Sequence, residues 1–170
     1  MQVVPATPED APDIARISVL AWQAAYRDLM PADHLAALSV ERRSATWRHT
    51  LELGRDRVLV ARDDGGSLLG FSCCAAARDE DTPPHAAELI ALYLDPAVWR
   101  HGHGRQLLQA SRDDMAARQY TSMTLWVLAG NARAIAFYQA MGFVIEVGRV
   151  KTLVVGGALI DEQRLQQSLA

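Results

Sequence analysis

The segment from residue 88 to residue 143 constrains the fold of this chain more than any other, because strand-like and helix-like patterns alternate along it. Residues 88–94 form a near-continuous apolar run, which is typical of a strand covered on both faces. A turn with two glycines at 99–104 then opens into a helical pattern. Residues 122–128 predict a second strand, and residues 132–141 predict a short helix. The segment therefore predicts the centre of an α/β (α+β) domain.

The turn between the first strand and the first helix has the composition of an anion-binding loop. Its residues are Trp99, Arg100, His101, Gly102, His103 and Gly104. Amide groups at the start of a helix have no acceptor within the helix, and the helix dipole adds to their attraction for an anion. Two glycines let a bulky phosphate approach the main chain. The turn therefore predicts a phosphate site, and a pyrophosphate is the expected ligand.

Two common phosphate-binding loops fit this turn poorly. A Walker A loop has Lys followed by Ser or Thr after its last glycine, whereas Gly104 is followed by Arg105 and Gln106. A dinucleotide-binding fingerprint has a third glycine or alanine three residues after the second glycine, and Leu107 occupies that position. A third type of phosphate loop is therefore favoured.

The turn resembles the pyrophosphate loop of the GNAT superfamily of N-acetyltransferases, which reads Gln/Arg-x-x-Gly-x-Gly/Ala after a strand. Trp99 departs from that pattern at the first position, and the adjacent Arg100 can supply the cation. A second stretch is similar to the other acyl-CoA-contacting motif of the superfamily. Its matching residues are Asn131, Ala134, Phe137, Tyr138, Gly142 and Phe143. Both motifs occur in the superfamily's order and separation.

The resemblance implies a single domain over residues 1–170, with residues 88–143 as its cofactor-binding and catalytic core. It implies a mixed, mostly antiparallel sheet of about six to seven strands flanked by helices, with acyl-CoA in the cleft between the two central strands. The other predicted elements are strands at 2–6, 57–62, 68–77, 144–155 and 158–169, and helices that begin near residues 8, 31 and 39. The last strand has an alternative, because residues 161–167 are polar enough to be helical.

The resemblance also implies which residues hold acetyl-CoA, the expected acyl donor. The pantetheine arm is expected along the backbone of Leu92, Tyr93 and Leu94, like an added strand. The pyrophosphate is expected on Arg100, His101, Gly102, His103, Gly104 and Arg105. Asn131 and Tyr138 are expected to contact the cofactor from the second motif, with Asn131 also capping its helix.

Acyl transfer to an amine needs a proton acceptor for the amine and a proton donor for the departing thiolate. Tyr138 is the predicted acid, because a phenol with a pKa of about 10 is protonated at neutral pH; the alternative is a packed core tyrosine. Glu88 is the predicted base, since a half-buried carboxylate can draw the proton through water. Glu88 is alternatively a solvated charge or the partner of an arginine. His85 is a weaker candidate base.

Trp22 and Tyr26 precede Pro31 in a region that often lines the acceptor entrance of the superfamily, so both are predicted substrate-binding residues. The alternative is that they pack the early helices together. The expected function is acetyl-CoA-dependent transfer of an acetyl group to a primary amine, of a small molecule or a peptide, directly within a ternary complex. The alternatives are a non-catalytic acyl-CoA-binding sensor or scaffold, and a structural protein whose glycine turn is incidental.

Composition limits the other classes of function. A net charge of −3 argues against a nucleic-acid-binding surface, and no uncharged apolar stretch reaches 18 residues, as a membrane span requires. Cys73 and Cys74 are expected to be buried and reduced, which favours a cytoplasmic location. His101 and His103 invite a zinc site, but no further cluster completes one, so no metal is expected. A homodimer through the C-terminal strands is implied by the resemblance.

Overall fold

The structure, a computed structural model, describes residues 1–169 as one seven-stranded sheet with helices on both faces. The strands are β1 (Gln2–Pro5), β2 (Arg57–Arg62), β3 (Leu68–Ala76), β4 (Ala86–Leu94), β5 (Ser122–Leu128), β6 (Val144–Val155) and β7 (Ala158–Ser168). The helices are α1 (Ala11–Ala25), α2 (Ala32–Ala36), α3 (Val40–Leu53), α4 (His103–Ala117) and α5 (Ala132–Ala140). Short 3₁₀ turns at Pro8–Asp10 and Pro96–Val98 complete the order of elements.

The strand order is β1-β2-β3-β4-β5-β7-β6, and every neighbouring pair is antiparallel except β4 and β5. The parallel pair lies in the middle because helix α4 carries the chain from the end of β4 back to the start of β5. This topology confirms the predicted mixed, mostly antiparallel sheet.

Helix ends lie where capping residues predict them. The Thr7 amide donates a hydrogen bond to Asp10 Oδ2 at 3.0 Å at the start of the 3₁₀ turn that leads into α1. The Ser39 side chain accepts a hydrogen bond from the Arg42 amide at the start of α3, and Gly54 ends that helix in the left-handed conformation. Asn131, the predicted cap of α5, accepts a hydrogen bond from the Ala134 amide at 3.1 Å. These local signals set the helix boundaries before any tertiary contact is considered.

Each face of the sheet has its own apolar layer. Ile14 and Ile17 of α1 pack with Val60 and Phe71 on one face, and Trp47 of α3 covers the same layer. On the other face, α4 buries the side chains that its helical spacing aligns, which are Leu107, Leu108, Ser111 and Met115. Cys73 belongs to the first layer and Cys74 to the second, as the alternation along a strand requires.

The C-terminal segment is a strand, so the helical alternative for residues 161–167 is wrong. Strand β7 pairs along its length with β5, from Ser122 opposite Ser168 to Leu128 opposite Glu162. It lies between β5 and β6 in the sheet, and its buried Arg164 binds Glu146 on β6 and Asp81 on the loop after β3. Pairing to two neighbours therefore outweighs the low strand propensity of the polar run.

None of the helices within residues 1–169 has both the length and the apolar composition that crossing a membrane requires.

Candidate active site

A cleft opens where the two central strands part. Strands β4 and β5 pair only at their first residues, ending with Glu88 opposite Thr124. The register between β3 and β4 shifts at the same level, which leaves Ile90 as an extra residue between the paired Leu89 and Ala91. Such a bulge bends its strand and increases the local twist. The rest of β4, within the described residues, presents to β5 an edge without strand partners.

A cavity of about 690 Å³ fills this cleft, between α1 on one side and strands β5, β6 and β7 on the other. It brings together the predicted residues Trp22, Tyr26, Glu88, Leu92, Tyr93, Leu94, Asn131 and Tyr138. An exposed strand edge can pair with an extended ligand, and the cavity gives such a ligand a route alongside β4. The arrangement fits the pantetheine arm of acetyl-CoA beside an acceptor.

The residues expected to hold the pyrophosphate, Arg100 to Arg105, lie outside the lining of this cavity, whereas Trp99 at the end of β4 belongs to it. In this loop, Arg100 and Gly102 have left-handed backbones, with φ values of 66° and 84°, and α4 begins directly afterwards at His103. The Trp99 indole nitrogen donates to the Leu94 carbonyl at 3.0 Å and so ties the loop to the strand. The Arg133 guanidinium covers the Trp99 ring at 4.0 Å. The loop therefore sets the first amides of α4 at the mouth of the cleft, where they can hold an anion.

The two glycines of the loop have different structural roles. Gly102 supplies the left-handed turn, and a Cβ atom there would meet no atom within 4 Å. A Cβ atom on Gly104 would lie 3.3 Å from Leu94 Cδ1 and 3.7 Å from Phe137 Cζ. Gly104 therefore allows α4 to pack closely against the end of β4 and against α5.

His101 and His103 stack on each other, with ring centroids 6.2 Å apart. The Nδ1 atom of His103 is buried and has no hydrogen-bond partner in the described part of the chain. No group of three or more His, Cys, Asp or Glu side chains within residues 1–169 is arranged to hold a metal ion. The pair thus belongs to the loop surface beside the helix start.

The Tyr138 side chain lies in the cavity wall, where it packs edge-on against Phe137 and Phe143. Burial raises its pKa, and the hydroxyls of nearby groups such as Tyr93 add to the shift. The phenol therefore stays protonated at neutral pH. Its hydroxyl forms no hydrogen bond to any other residue of the described chain, which leaves the proton available to a ligand in the cavity.

Glu88 is only 4% exposed and is paired with an arginine. Such a pair was one of the two alternatives to its predicted role as the base. Arg78 Nε donates to Oε2 of Glu88 at 3.0 Å, and Arg78 Nη2 donates to Oε1 at 2.6 Å. Both carboxylate oxygens therefore already accept a charge-assisted hydrogen bond. Glu88 lines the cavity, and the hydrogen bonds from Arg78 make its carboxylate a weaker proton acceptor.

Trp22 and Tyr26 form an aromatic wall together with Tyr93. The Trp22 and Tyr26 rings meet edge-on at 5.2 Å, and the hydroxyls of Tyr26 and Tyr93 share a hydrogen bond of 3.3 Å. Burial raises the pKa of both tyrosines, so both hydroxyls are neutral. The Arg43 guanidinium covers the other side of Trp22 at 4.3 Å and joins α3 to α1. The wall packs the helices and lines the cavity, so the two interpretations of these residues are compatible.

The sequence analysis missed Glu162, an acidic side chain on β7 that lines the cavity. It is half-buried, and desolvation raises its pKa above the ordinary value of a glutamate. Its alternation with Arg164 in the polar run of the last strand was the available signal, because both side chains then face the same side of the sheet. The same polar run is also compatible with a helix, in which Glu162 and Arg164 would not share a face.

A network of ion pairs fixes the loop after β3 over the outer strands. Arg164 is 3% exposed and binds Asp81 through two hydrogen bonds of 2.8 Å. It also binds Glu146 at 2.5 Å through Nε. The Trp126 indole nitrogen donates to Asp79 Oδ2 at 2.8 Å. The network therefore holds the loop that carries Arg78 against the wall of the cavity.

Comparisons with known proteins agree with this geometry. The chain matches the acetyltransferase (GNAT) family over residues 18–143. YuaI, an uncharacterized N-acetyltransferase of Bacillus subtilis (strain 168), is 34% identical over 132 residues, which are 78% of this chain and 73% of that protein. The family match includes both the glycine loop and the Asn131 motif.

Two solved structures have the same fold. The ribosomal-protein-alanine N-acetyltransferase from Brucella melitensis has a TM-score of 0.76 at 23% identity and covers 99% of each chain. YncA from Salmonella typhimurium, solved with its cofactor acetyl-CoA, has a TM-score of 0.75 at 22% identity and covers 100% of this chain and 94% of its own. The resemblance drawn from the two motifs is thus confirmed, and the chain belongs to the acetyltransferase (GNAT) family.

Proposed function

We propose that the chain transfers an acetyl group from acetyl-CoA to a primary amine, directly within a ternary complex. The main support for this proposal is that one cavity contains the unpaired edge of β4, the Tyr138 side chain and the aromatic wall. A donor along β4 and an acceptor against the wall would share one enclosed space. Direct attack needs this proximity, which removes much of the entropic cost of bringing two reactants together.

Acetyl-CoA would be held by two parts of the chain. The backbone of Leu92, Tyr93 and Leu94 would pair with the pantetheine arm, and the residues from Arg100 to Arg105, with the amides at the start of α4, would hold the pyrophosphate. Asn131 lines the cavity while capping α5. When bound, acetyl-CoA supplies the reactive thioester.

Tyr138 is the proposed acid. Its hydroxyl lies in the cavity wall and is protonated, so it can donate to the sulfur as the thiolate departs. Glu88 remains a candidate base that acts through water, with the limitation that Arg78 binds both of its oxygens. Trp22 and Tyr26 are the proposed acceptor contacts. The relative from Brucella melitensis is named for acetylating an alanine of a ribosomal protein, so a peptide α-amine is one acceptor class to include.

A homodimer through the outer strands is part of the proposal. Val147 is 97% exposed, Val154 is 73% exposed and Leu159 is 75% exposed, all on β6 and β7. Exposed apolar patches of this kind mark interaction surfaces. Light scattering on a size-exclusion column should give twice the mass of the chain, whereas the single mass would remove this part of the proposal.

The proposed location is the cytoplasm. Cys73 and Cys74 are free and buried on opposite faces of β3. Burial raises the pKa of Cys73 to about 12, so the thiol is unreactive in the folded chain. Free thiols are typical of reducing compartments. Localisation of the tagged chain by fractionation of its host cells would test this point.

Calorimetric titration with acetyl-CoA, followed by a thiol-release assay, tests the proposed function. The amine panel is 2-phenylethylamine, spermidine and an alanyl peptide. We expect micromolar binding and thiol release with at least one amine. Binding without release from any member of the panel would favour the non-catalytic sensor. Absence of binding would overturn the assignment of the cofactor site.

A further inference from the structure

The cavity holds six charged side chains, and five of them have a partner. The six are Arg78, Asp79, Glu88, Arg133, Lys151 and Glu162. Arg78 neutralises Glu88, Lys151 neutralises Asp79, and Arg133 lies over the ring of Trp99. Within residues 1–169, no hydrogen bond or ion pair reaches the Glu162 carboxylate. Glu162 is therefore the uncompensated negative charge of the cavity.

The nearest cation does not neutralise Glu162, although it stands beside it in the sheet. Lys151, the only lysine of the chain, is the cross-strand partner of Glu162 on β6. Its ammonium group instead binds Asp79 Oδ1 at 2.5 Å and lies 3.9 Å from the centre of the Trp126 ring. A salt bridge and a cation–π contact therefore hold Lys151 away from the cavity carboxylate.

Glu162 lines the same cavity as Tyr26, Tyr93 and Tyr138. Burial is the largest cause of the raised pKa of both Tyr26 and Tyr93, the two tyrosines of the aromatic wall, and the charge of Glu162 adds to the shift in each. Tyr138 acts on Tyr26 in the same way. These four side chains thus lie within electrostatic reach of one another, around the space proposed for the acceptor. The charged groups that bear on Glu162 itself are Lys151 and Glu88.

We propose that Glu162 binds the ammonium group of the acceptor and accepts its proton before acyl transfer. This inference rests on the proposed function of the cavity. It is supported by the missing partner of Glu162, by its half-buried position and by its place in the same cavity as the aromatic wall. A buried carboxylate that lacks a counter-ion is stabilised by an incoming cation.

The proton balance follows from these positions. The ammonium gives one proton to Glu162, and the nitrogen lone pair then forms the N–C bond to the thioester carbonyl. As the C–S bond breaks, Tyr138 gives its proton to the sulfur. The nitrogen then loses its second proton, which passes through solvent to the Tyr138 oxygen and restores the phenol. Glu162 then releases its proton to water, so that one proton leaves per acetyl group transferred.

The same charges define the class of acceptor. With one uncompensated carboxylate, the cavity suits an amine that carries a single positive charge. A second cation would meet Arg78, Arg133 or Lys151. Apolar side chains also line this part of the cavity, because Leu128 is the partner of Glu162 on β5 and Leu153 lies two residues after Lys151 on β6. We therefore expect a primary amine on an apolar or aromatic stem, in preference to a polyamine.

The test compares Glu162→Gln with Asp161→Asn, a matched control. Asp161 precedes Glu162 on β7, is exposed and points to the opposite face of the strand. The acceptors are 2-phenylethylamine, a cation at neutral pH, and hydroxylamine, which is uncharged there. Glu162→Gln should lower kcat/KM for 2-phenylethylamine by about 10²-fold and leave the rate with hydroxylamine close to that of the wild type. Asp161→Asn should change neither rate.

Equal loss with both acceptors would indicate a structural role for Glu162, and no loss with 2-phenylethylamine would show that another group takes the proton. Either result overturns the inference. Calorimetry of 2-phenylethylamine against the CoA complex gives a readout without turnover: the wild type should bind and Glu162→Gln should not. Equal binding by both also overturns it. Failure of the proposed function looks different, because the wild type itself then binds no acetyl-CoA or releases no thiol.

Discussion

The donor side and the acceptor side of the cavity are built in different ways. The donor side comes from one continuous stretch of chain, in which β4, the glycine loop and α4 follow one another. The acceptor side is assembled from α1, β6, β7 and the loop after β3, which are distant in sequence. Local motifs therefore build the proposed cofactor site, whereas strand pairing decides which side chains line the proposed acceptor site. A change on one side should leave the other largely intact.

The largest effect is expected for Tyr138→Phe, at the point where the two sides meet. Removing the hydroxyl should lower turnover by about 10²- to 10⁴-fold, because the thiolate loses its proton donor. Acetyl-CoA affinity by calorimetry should be unchanged, since the ring still packs against Phe137 and Phe143. Unchanged turnover, with chemistry as the slow step, would remove Tyr138 as the acid.

Arg164→Leu should lower the stability of the acceptor side of the cavity. Loss of this buried guanidinium leaves the carboxylates of Asp81 and Glu146 without their main partner, which should cost about 3–5 kcal/mol in the free energy of unfolding. The matched control is Arg118→Leu, which removes an exposed pair with Asp114 and should cost about 1 kcal/mol or less. Urea unfolding measures both values, and similar losses would contradict a special role for the network.

Gly104→Asp and Gly104→Asn separate charge from size on the donor side. Both side chains meet Leu94 and Phe137, so both should lower stability by a similar amount. Only Asp places a negative charge beside the expected pyrophosphate, and like-charge contact costs several kcal/mol. Acetyl-CoA affinity should therefore be at least about 100-fold weaker for Asp than for Asn. Equal affinities would place the pyrophosphate elsewhere.

The smallest effect concerns acid stability on the acceptor side. The hydrogen bonds from Arg164 lower the pKa of Asp81 from 3.8 to about 2, against an opposing effect of desolvation. A lowered pKa contributes stability that is present above about pH 4 and is lost as the pH falls from about 4 towards 2. The stability difference between wild type and Asp81→Asn should therefore shrink over that range. A constant difference in thermal unfolding would contradict the lowered pKa.

The donor side could be predicted from sequence because its signals are local. The buried face of α4, the Asn131 cap and the apolar run of β4 each follow from spacing within a few residues. The acceptor side could not be predicted in the same way. Glu162 enters the cavity only because β7 pairs with both β5 and β6, and Lys151 leaves it uncompensated only because Asp79 comes from a distant loop. The sequence left open whether Glu88 pairs with an arginine, and only the folded structure brings Arg78 to it.

The most direct test of the account is the initial-rate pattern with both substrates varied. Acetyl-CoA and 2-phenylethylamine are varied together, and thiol release is measured at each combination. Because donor and acceptor would share one cavity, double-reciprocal plots should give lines that intersect. Parallel lines would mean that the acetyl group passes through a covalent acetyl-enzyme before the amine binds, which would contradict direct transfer in a ternary complex.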